Sequence, residues 1–185
     1  MKKKVLINGF GRMGRLFFRA AYNNPDFDIV AINELKGSAE SSTHLLEFDS
    51  VHGRWDSAIS SMKNIRFSNA SSPSEIDVSQ IDIVVECSGK FKDEESLQPY
   101  YEKGVNTVLV SAPVKGRALN IVYGINDDLY DPERHNLITS ASCTTNCLAP
   151  VVKVIKEKIG IKHGIITTIH DITNTQTIID APHND

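Results

Sequence analysis

Apolar and polar positions alternate between two rhythms along the chain. Short continuous apolar runs are each followed by a stretch of helical periodicity and then by punctuation. Val5-Leu6-Ile7 is such a run, as expected of a strand covered on both faces. Over 12–22, Met13, Leu16, Phe17, Ala20 and Ala21 fall at helical spacing,, and Asn23-Asn24-Pro25 ends that helix,. Ile29-Val30-Ala31-Ile32 is a second buried strand, and 38–48 a second helix with Ser38 as its N-cap,. Residues 49–75 break the rhythm. They are rich in Ser, with alternation around Asn64-Ile65-Arg66-Phe67, and predict a hairpin or edge meander,. The rhythm then resumes: strands at 81–85 and 107–110 flank a helix at 93–102, and further strands follow at 121–123 and 136–140. A helix over 143–159 carries an internal Pro150, and 164–172 reads as the first strand of a second sheet. Strand, helix, strand with short connections means right-handed crossovers and an α/β, doubly wound parallel sheet. The predicted division is 1–142 for that domain and 143–185 for the start of a second, α+β part.

Composition narrows the class. A chain of 185 residues is one domain, or one and a part, at ~150 residues per domain,. Its 41% apolar and 23% charged residues exclude intrinsic disorder and fibrous repeats,. A net charge of −3 argues against a polyanion binder built on many phosphate contacts,. Three Cys, none in a CxxC pair, make no disulfide framework,. Met1-Lys2-Lys3-Lys4 has the charge of a signal n-region, but only three apolar residues follow before Asn8-Gly9,. The expected compartment is a reducing cytoplasm.

Asn8-Gly9-Phe10-Gly11-Arg12-Met13-Gly14 holds a G-x-G-x-x-G between a buried strand and an amphipathic helix. That context points to a dinucleotide: Gly9 for the tight turn, Gly11 for approach of the pyrophosphate, Gly14 for close helix packing. The amides of Arg12 and Met13 would face the phosphates from a helix N-terminus. Glu34, 20 residues after Gly14, is placed to accept both ribose hydroxyls and to repel a 2′-phosphate, which favours NAD over NADP. Lys36 weighs the other way as a phosphate partner.

Ser140-Ala141-Ser142-Cys143-Thr144-Thr145-Asn146 lies where a strand ends and a helix begins, the place where an open parallel sheet puts its ligands. A thiol at a helix N-terminus is favoured as thiolate. His170, at the end of the next β run, makes with Cys143 a nucleophile and base pair,. Cys147 reads as a structural thiol one turn along, and Cys87 as core packing. A zinc site from Cys143, Cys147, His163 and His170 misses the usual ligand spacings, so no metal is expected. His44, His52, His135 and His183 read as surface or capping residues.

These residues resemble the phosphorylating glyceraldehyde-3-phosphate dehydrogenases, glycolytic oxidoreductases. The match is carried by 7–15 (INGFGRMGR), by 140–150 (SASCTTNCLAP), and by Thr167-Thr168-Ile169-His170 with Thr173 and Gln176. Phe10, Ser88, Gly89 and Ser111 look like further cofactor contacts of that family. The resemblance implies that Cys143 attacks an aldehyde carbon while His170 acts as base. Hydride leaves for NAD, and the resulting thioester is cleaved by phosphate or arsenate. It also implies that Ser142 and Thr144 hold the attacking phosphate, that Thr173 holds the substrate phosphate, and that full-length members are homotetramers. No nucleic-acid or membrane partner is implied.

Several departures bear on the substrate. The family commonly has Asp at the position of Glu34. The longer acid occurs in erythrose-4-phosphate relatives, which share Asn33-Glu34-Leu35 but usually lack a Thr at the position of Thr173. Asp171-Ile172 replaces a common Ser-Tyr, and a usual Arg or Lys is absent near Ser71-Ser72-Pro73. The segment 44–55 (HLLEFDSVHGRW) resembles a branch associated with arsenate detoxification. Family members run to about twice this length, so the chain is expected to lack the phosphate-binding arginine and to be inactive alone. A lone strand at 164–172 would have no ladder partner. The alternatives are an erythrose-4-phosphate dehydrogenase, a nucleotide-binding module without catalysis, and a thiol-redox protein acting through Cys143 and Cys147.

Overall fold

A computed structural model of the chain describes residues 1–169. Seven parallel strands form one sheet in the order β3-β2-β1-β4-β5-β7-β6. They are β1 (Lys3–Asn8), β2 (Phe27–Asn33), β3 (Arg66–Ser68), β4 (Ile83–Glu86), β5 (Thr107–Val110), β6 (Leu119–Asn120) and β7 (Leu137–Thr139). The helices are α1 (Arg12–Ala21), α2 (Ala39–Glu47), α3 (Ala58–Met62), α4 (Glu94–Glu102) and α5 (Cys143–Lys158). Strand order reverses between β1 and β4, which makes their carboxyl ends the switch point of a doubly wound sheet,.

β1 forms because Val5, Leu6 and Ile7 are all sealed from solvent. Alternate side chains enter two cores. Val5 and Ile7 pack with Phe18, Leu46 and Ala58 beneath α1, α2 and α3. Leu6 packs with Val84, Leu97 and Tyr100 on the α4 face. Local caps set the helix starts. Ser38 and Ser41 form a reciprocal capping box on α2, and the Asp93 carboxylate accepts from the Ser96 amide on α4,.

Four expectations are corrected. The buried stripe of α1 runs through Gly14, Arg15, Phe18 and Ala21, while Met13 and Ala20 are exposed. A Cβ on Gly14 would strike the Gly9 carbonyl, so the residue without a side chain must face the sheet, and the stripe turns with it. The 49–75 stretch holds no hairpin or meander. Instead α3 makes a crossover, and β3 joins the sheet edge parallel to β2. Phe67 packs inward there, and Arg66 reaches out to Asp77 at 2.6 Å. The strand expected at 121–123 lies two residues earlier, as β6. Asn126 explains the shift, because its Oδ1 accepts from the Val122 amide at 2.8 Å and draws 122–126 into a turn. The described part of the expected 164–172 strand, 164–169, has no regular structure; the rest lies outside the described residues. No described helix is long and apolar enough to cross a membrane.

Candidate active site

The switch point opens into a crevice of about 290 Å³. Gly9, Phe10, Gly11, Glu34 and Ser88 line it, with Lys36, Ser71, Lys90 and Phe91 around them. Gly9 turns the chain out of β1 at φ +88°, and a side chain there would collide with the Cys87–Ser88 backbone. Gly11, the N-cap of α1, has nothing within 4 Å of where a Cβ would stand, which leaves an open approach to the helix N-terminus. Arg12, Met13 and Gly14 form the first turn behind it, and first-turn amides have no acceptor within their own helix. The Phe10 ring is buried edge-on against Phe18, so only its backbone is available to a ligand.

Glu34 follows β2 and bends back over the glycine turn. Its Oε2 accepts from the Phe10 amide at 2.6 Å and its Oε1 from the Lys36 amide at 3.1 Å. The carboxylate therefore stands at the crevice rim with its orientation set by backbone donors. Ser88 and Gly89 (φ +71°) make the turn after β4, and Ser111 leaves β5 beside it, donating its amide to the Glu86 carbonyl at 2.9 Å. An open phosphate approach, a helix N-terminus and a placed acid fit a dinucleotide.

A second constellation sits farther along the same carboxyl edge. β7 ends at Thr139, and Ala141 adopts φ +55°, a conformation that costs a residue with a Cβ about 1–2 kcal/mol,. The Thr139 hydroxyl helps hold it by accepting from the Ala141 amide at 3.0 Å. Ser142 then caps α5, its Oγ accepting from the Thr145 amide at 3.0 Å. Asn146 donates to the Ser140 and Ser142 carbonyls at 2.7 and 2.9 Å. The result is an exposed Cys143 at the first position of α5, with Thr144 beside it and Cys147 one turn on. These residues border a shallow, open pocket that 166–169 also line. Cys87 is different in kind: burial pushes its thiol up to about 12, opposed only in part by the Ser111 side chain.

His170 and Thr173 lie outside the described residues. His52 meets Asp49 at 3.1 Å, and His135 Nδ1 accepts from the Asp131 amide.

Beneath the crevice lies a polar cluster that the sequence did not signal. Glu86, Asn8 and Asn33 are buried at the ends of β4, β1 and β2, and Tyr100 reaches them from α4. Burial pushes the Glu86 carboxyl above its ordinary range, against the Ser88, Asn8 and Tyr100 donors. Only one sequence signal was available, an acid closing the buried run Ile83-Val84-Val85.

Residues 3–94 match the family model described as the glyceraldehyde 3-phosphate dehydrogenase NAD-binding domain, and 142–185 match that family's C-terminal domain. Over the whole chain, the sequence is 56% identical to glyceraldehyde-3-phosphate dehydrogenase 3 of Nostoc sp. and 46% identical to the glyceraldehyde-3-phosphate dehydrogenase of Geobacillus stearothermophilus. It is 45% identical to glyceraldehyde-3-phosphate dehydrogenase 2 of Bacillus subtilis. The chain spans 58%, 58% and 57% of these curated relatives' lengths, respectively. NAD is thus the cofactor of the domain that holds the glycine turn. With that turn and the cysteine helix on one parallel sheet, and both halves of the pattern matched, the chain belongs to the glyceraldehyde-3-phosphate dehydrogenase family.

Proposed function

We propose that the residues of this chain serve NAD-dependent, phosphorylating oxidation of an aldehyde phosphate, with Cys143 as nucleophile. The observation that carries the reading is the position of Cys143: exposed, at the capped N-terminus of α5, on the same carboxyl edge as the dinucleotide crevice. The helix dipole favours a thiolate there. Attack of the sulfur on the aldehyde carbon gives a tetrahedral oxyanion that meets first-turn amides of α5, and a proton from the His170 imidazolium converts it to the hemithioacetal. His170 takes that hydroxyl proton back as the carbon loses hydride. A bound nicotinamide supplies the acceptor for the hydride that this carbon loses. The thioester left on Cys143 is attacked at carbon by inorganic phosphate, or by arsenate as its analogue. The acyl group departs as the mixed anhydride and the thiolate is restored. Ser142 and Thr144 hold the attacking oxyanion, and Thr173 the substrate phosphate. Glu34 holds the adenosine ribose. We place the division between cofactor and catalytic parts at 142/143, and the working compartment in a reducing cytoplasm.

A second reading, nucleotide binding without catalysis, draws on α5, which has no buried residue among those described. The two separate on one experiment. The chain is incubated with glyceraldehyde 3-phosphate and NAD, without phosphate, and its peptides are weighed. Steady turnover is not expected of the chain alone, but the dehydrogenase reading expects a single-turnover acyl adduct on the Cys143 peptide that is absent from Cys143→Ser. An unmodified Cys143 in a chain that binds NAD would favour the second reading.

A further inference from the structure

The buried cluster beneath the crevice is ordered in a single direction. The Ala70 backbone fixes its start: the Ala70 amide donates to Asn33 Oδ1 at 2.8 Å, and Asn33 Nδ2 donates to the Ala70 carbonyl at 3.0 Å. With its amide oriented this way, Asn33 also donates to Asn8 Oδ1 at 2.8 Å. Asn8 must then turn its Nδ2 the other way, toward Glu86 Oε2 at 2.6 Å and the Tyr100 hydroxyl at 2.9 Å. The Tyr100 hydroxyl donates to Glu86 Oε2 at 3.1 Å, and the Ser88 amide donates to Glu86 Oε1 at 2.9 Å. All the donors around Glu86 thus converge on one buried acceptor, and a carboxylate is the side chain that meets them all.

The two ends of this chain of bonds are the walls of the crevice. Ala70 and Ser71 form one side near Glu34; Ser88 forms the other, against Gly9. Resting on the reading of the crevice as the NAD site, we propose that Glu86 is a positioning residue for the dinucleotide: through Asn8, Tyr100 and Asn33 it holds the Ser88–Gly89 turn and the Ala70–Ser71 loop as one unit. Glu86 and Tyr100 stand behind the crevice wall and need not touch the ligand, while Asn8 and Asn33 reach the wall itself. Each fixes the backbone that meets the ligand, and a change at Glu86 is felt at Ala70, on the far side of β1.

Glu86→Gln is the discriminating change. It keeps the shape but gives one end of the group a donor, which must face either the Ser88 amide or the Asn8–Tyr100 pair. Hydrogen exchange of the nucleotide-free chain reads the coupling. The expected result is faster exchange at both the Ser88 and Ala70 amides. Calorimetry should show about tenfold weaker NAD binding and a similar loss for AMP, which samples the adenosine side alone. Faster exchange at Ser88 only, or a loss for NAD with AMP unchanged, would overturn the proposal and leave Glu86 a local support of one turn. Should Glu86→Gln fail to fold, Tyr100→Phe carries the same exchange test and keeps the carboxylate. It should speed both amides by a smaller factor, and an effect at Ser88 alone again overturns the coupling. A wild-type chain that showed coupled exchange yet bound no NAD would instead sink the cofactor assignment.

Discussion

At Gly9 the backbone turns with φ +88° while the Cys87–Ser88 peptide passes where a side chain would stand, and at Gly11 a side chain would meet open space. The two positions therefore answer differently to one methyl group. Gly9→Ala combines a left-handed conformation with a clash against backbone, and should cost about 3 kcal/mol in urea denaturation. Gly11→Ala should leave stability within about 0.5 kcal/mol while weakening nucleotide binding, since its methyl group occupies the phosphate approach. Equal destabilisation by both would contradict these roles. The spacing of the three glycines and of Glu34 was readable along the chain because each role needs a residue type at a fixed offset. The buried stripe of α1 was not, because Gly14 counts as neither apolar nor polar in a periodicity although it is the residue that must touch the sheet. Glu86 escaped for a related reason: an acid ending an apolar run looks the same whether it points into solvent or into a core.

Elements that carry strong local signals form where the pattern puts them: the β1 and β4 runs, α2 behind Ser38, α4 behind Asp93, and α5 behind Ser142. Those placed by specific bonds that no periodicity carries do not. β3 depends on pairing with β2, and β6 is cut short by the Asn126 bond to the Val122 amide. The loop after α2 contains a titrating contact that the apolar pattern likewise does not signal. Burial works to raise the Asp49 carboxyl, but the His52 and Val51 amides, the His52 ring and the charge of Arg12 outweigh it and hold the group at about 2, below its ordinary 3.8. A depressed carboxylate stabilises the fold above its unfolded value and loses that contribution as pH falls toward the folded one. Asp49→Asn should thus be less stable than wild type by about 1 kcal/mol near neutrality, allowing for solvent screening. The gap should narrow as pH falls through the window between 3.8 and about 2. A gap that stays constant in urea titrations across that window would remove Asp49 from the acid response.

On the scale of the whole molecule, two sites share one carboxyl edge because the chain places every loop that follows a strand on the same side of a parallel sheet. The glycine turn after β1, the acid after β2, the Ser88 turn after β4 and the Cys143 helix after β7 are all products of that rule,. The central claim, that this edge holds NAD with Glu34 on its ribose, is tested most directly by calorimetric titration of the 185-residue chain with NAD and with NADP, before and after Glu34→Ala. The account predicts saturable NAD binding, weakened about tenfold by the substitution, with NADP affected far less. No binding of NAD, or equal losses for the two nucleotides, would contradict it.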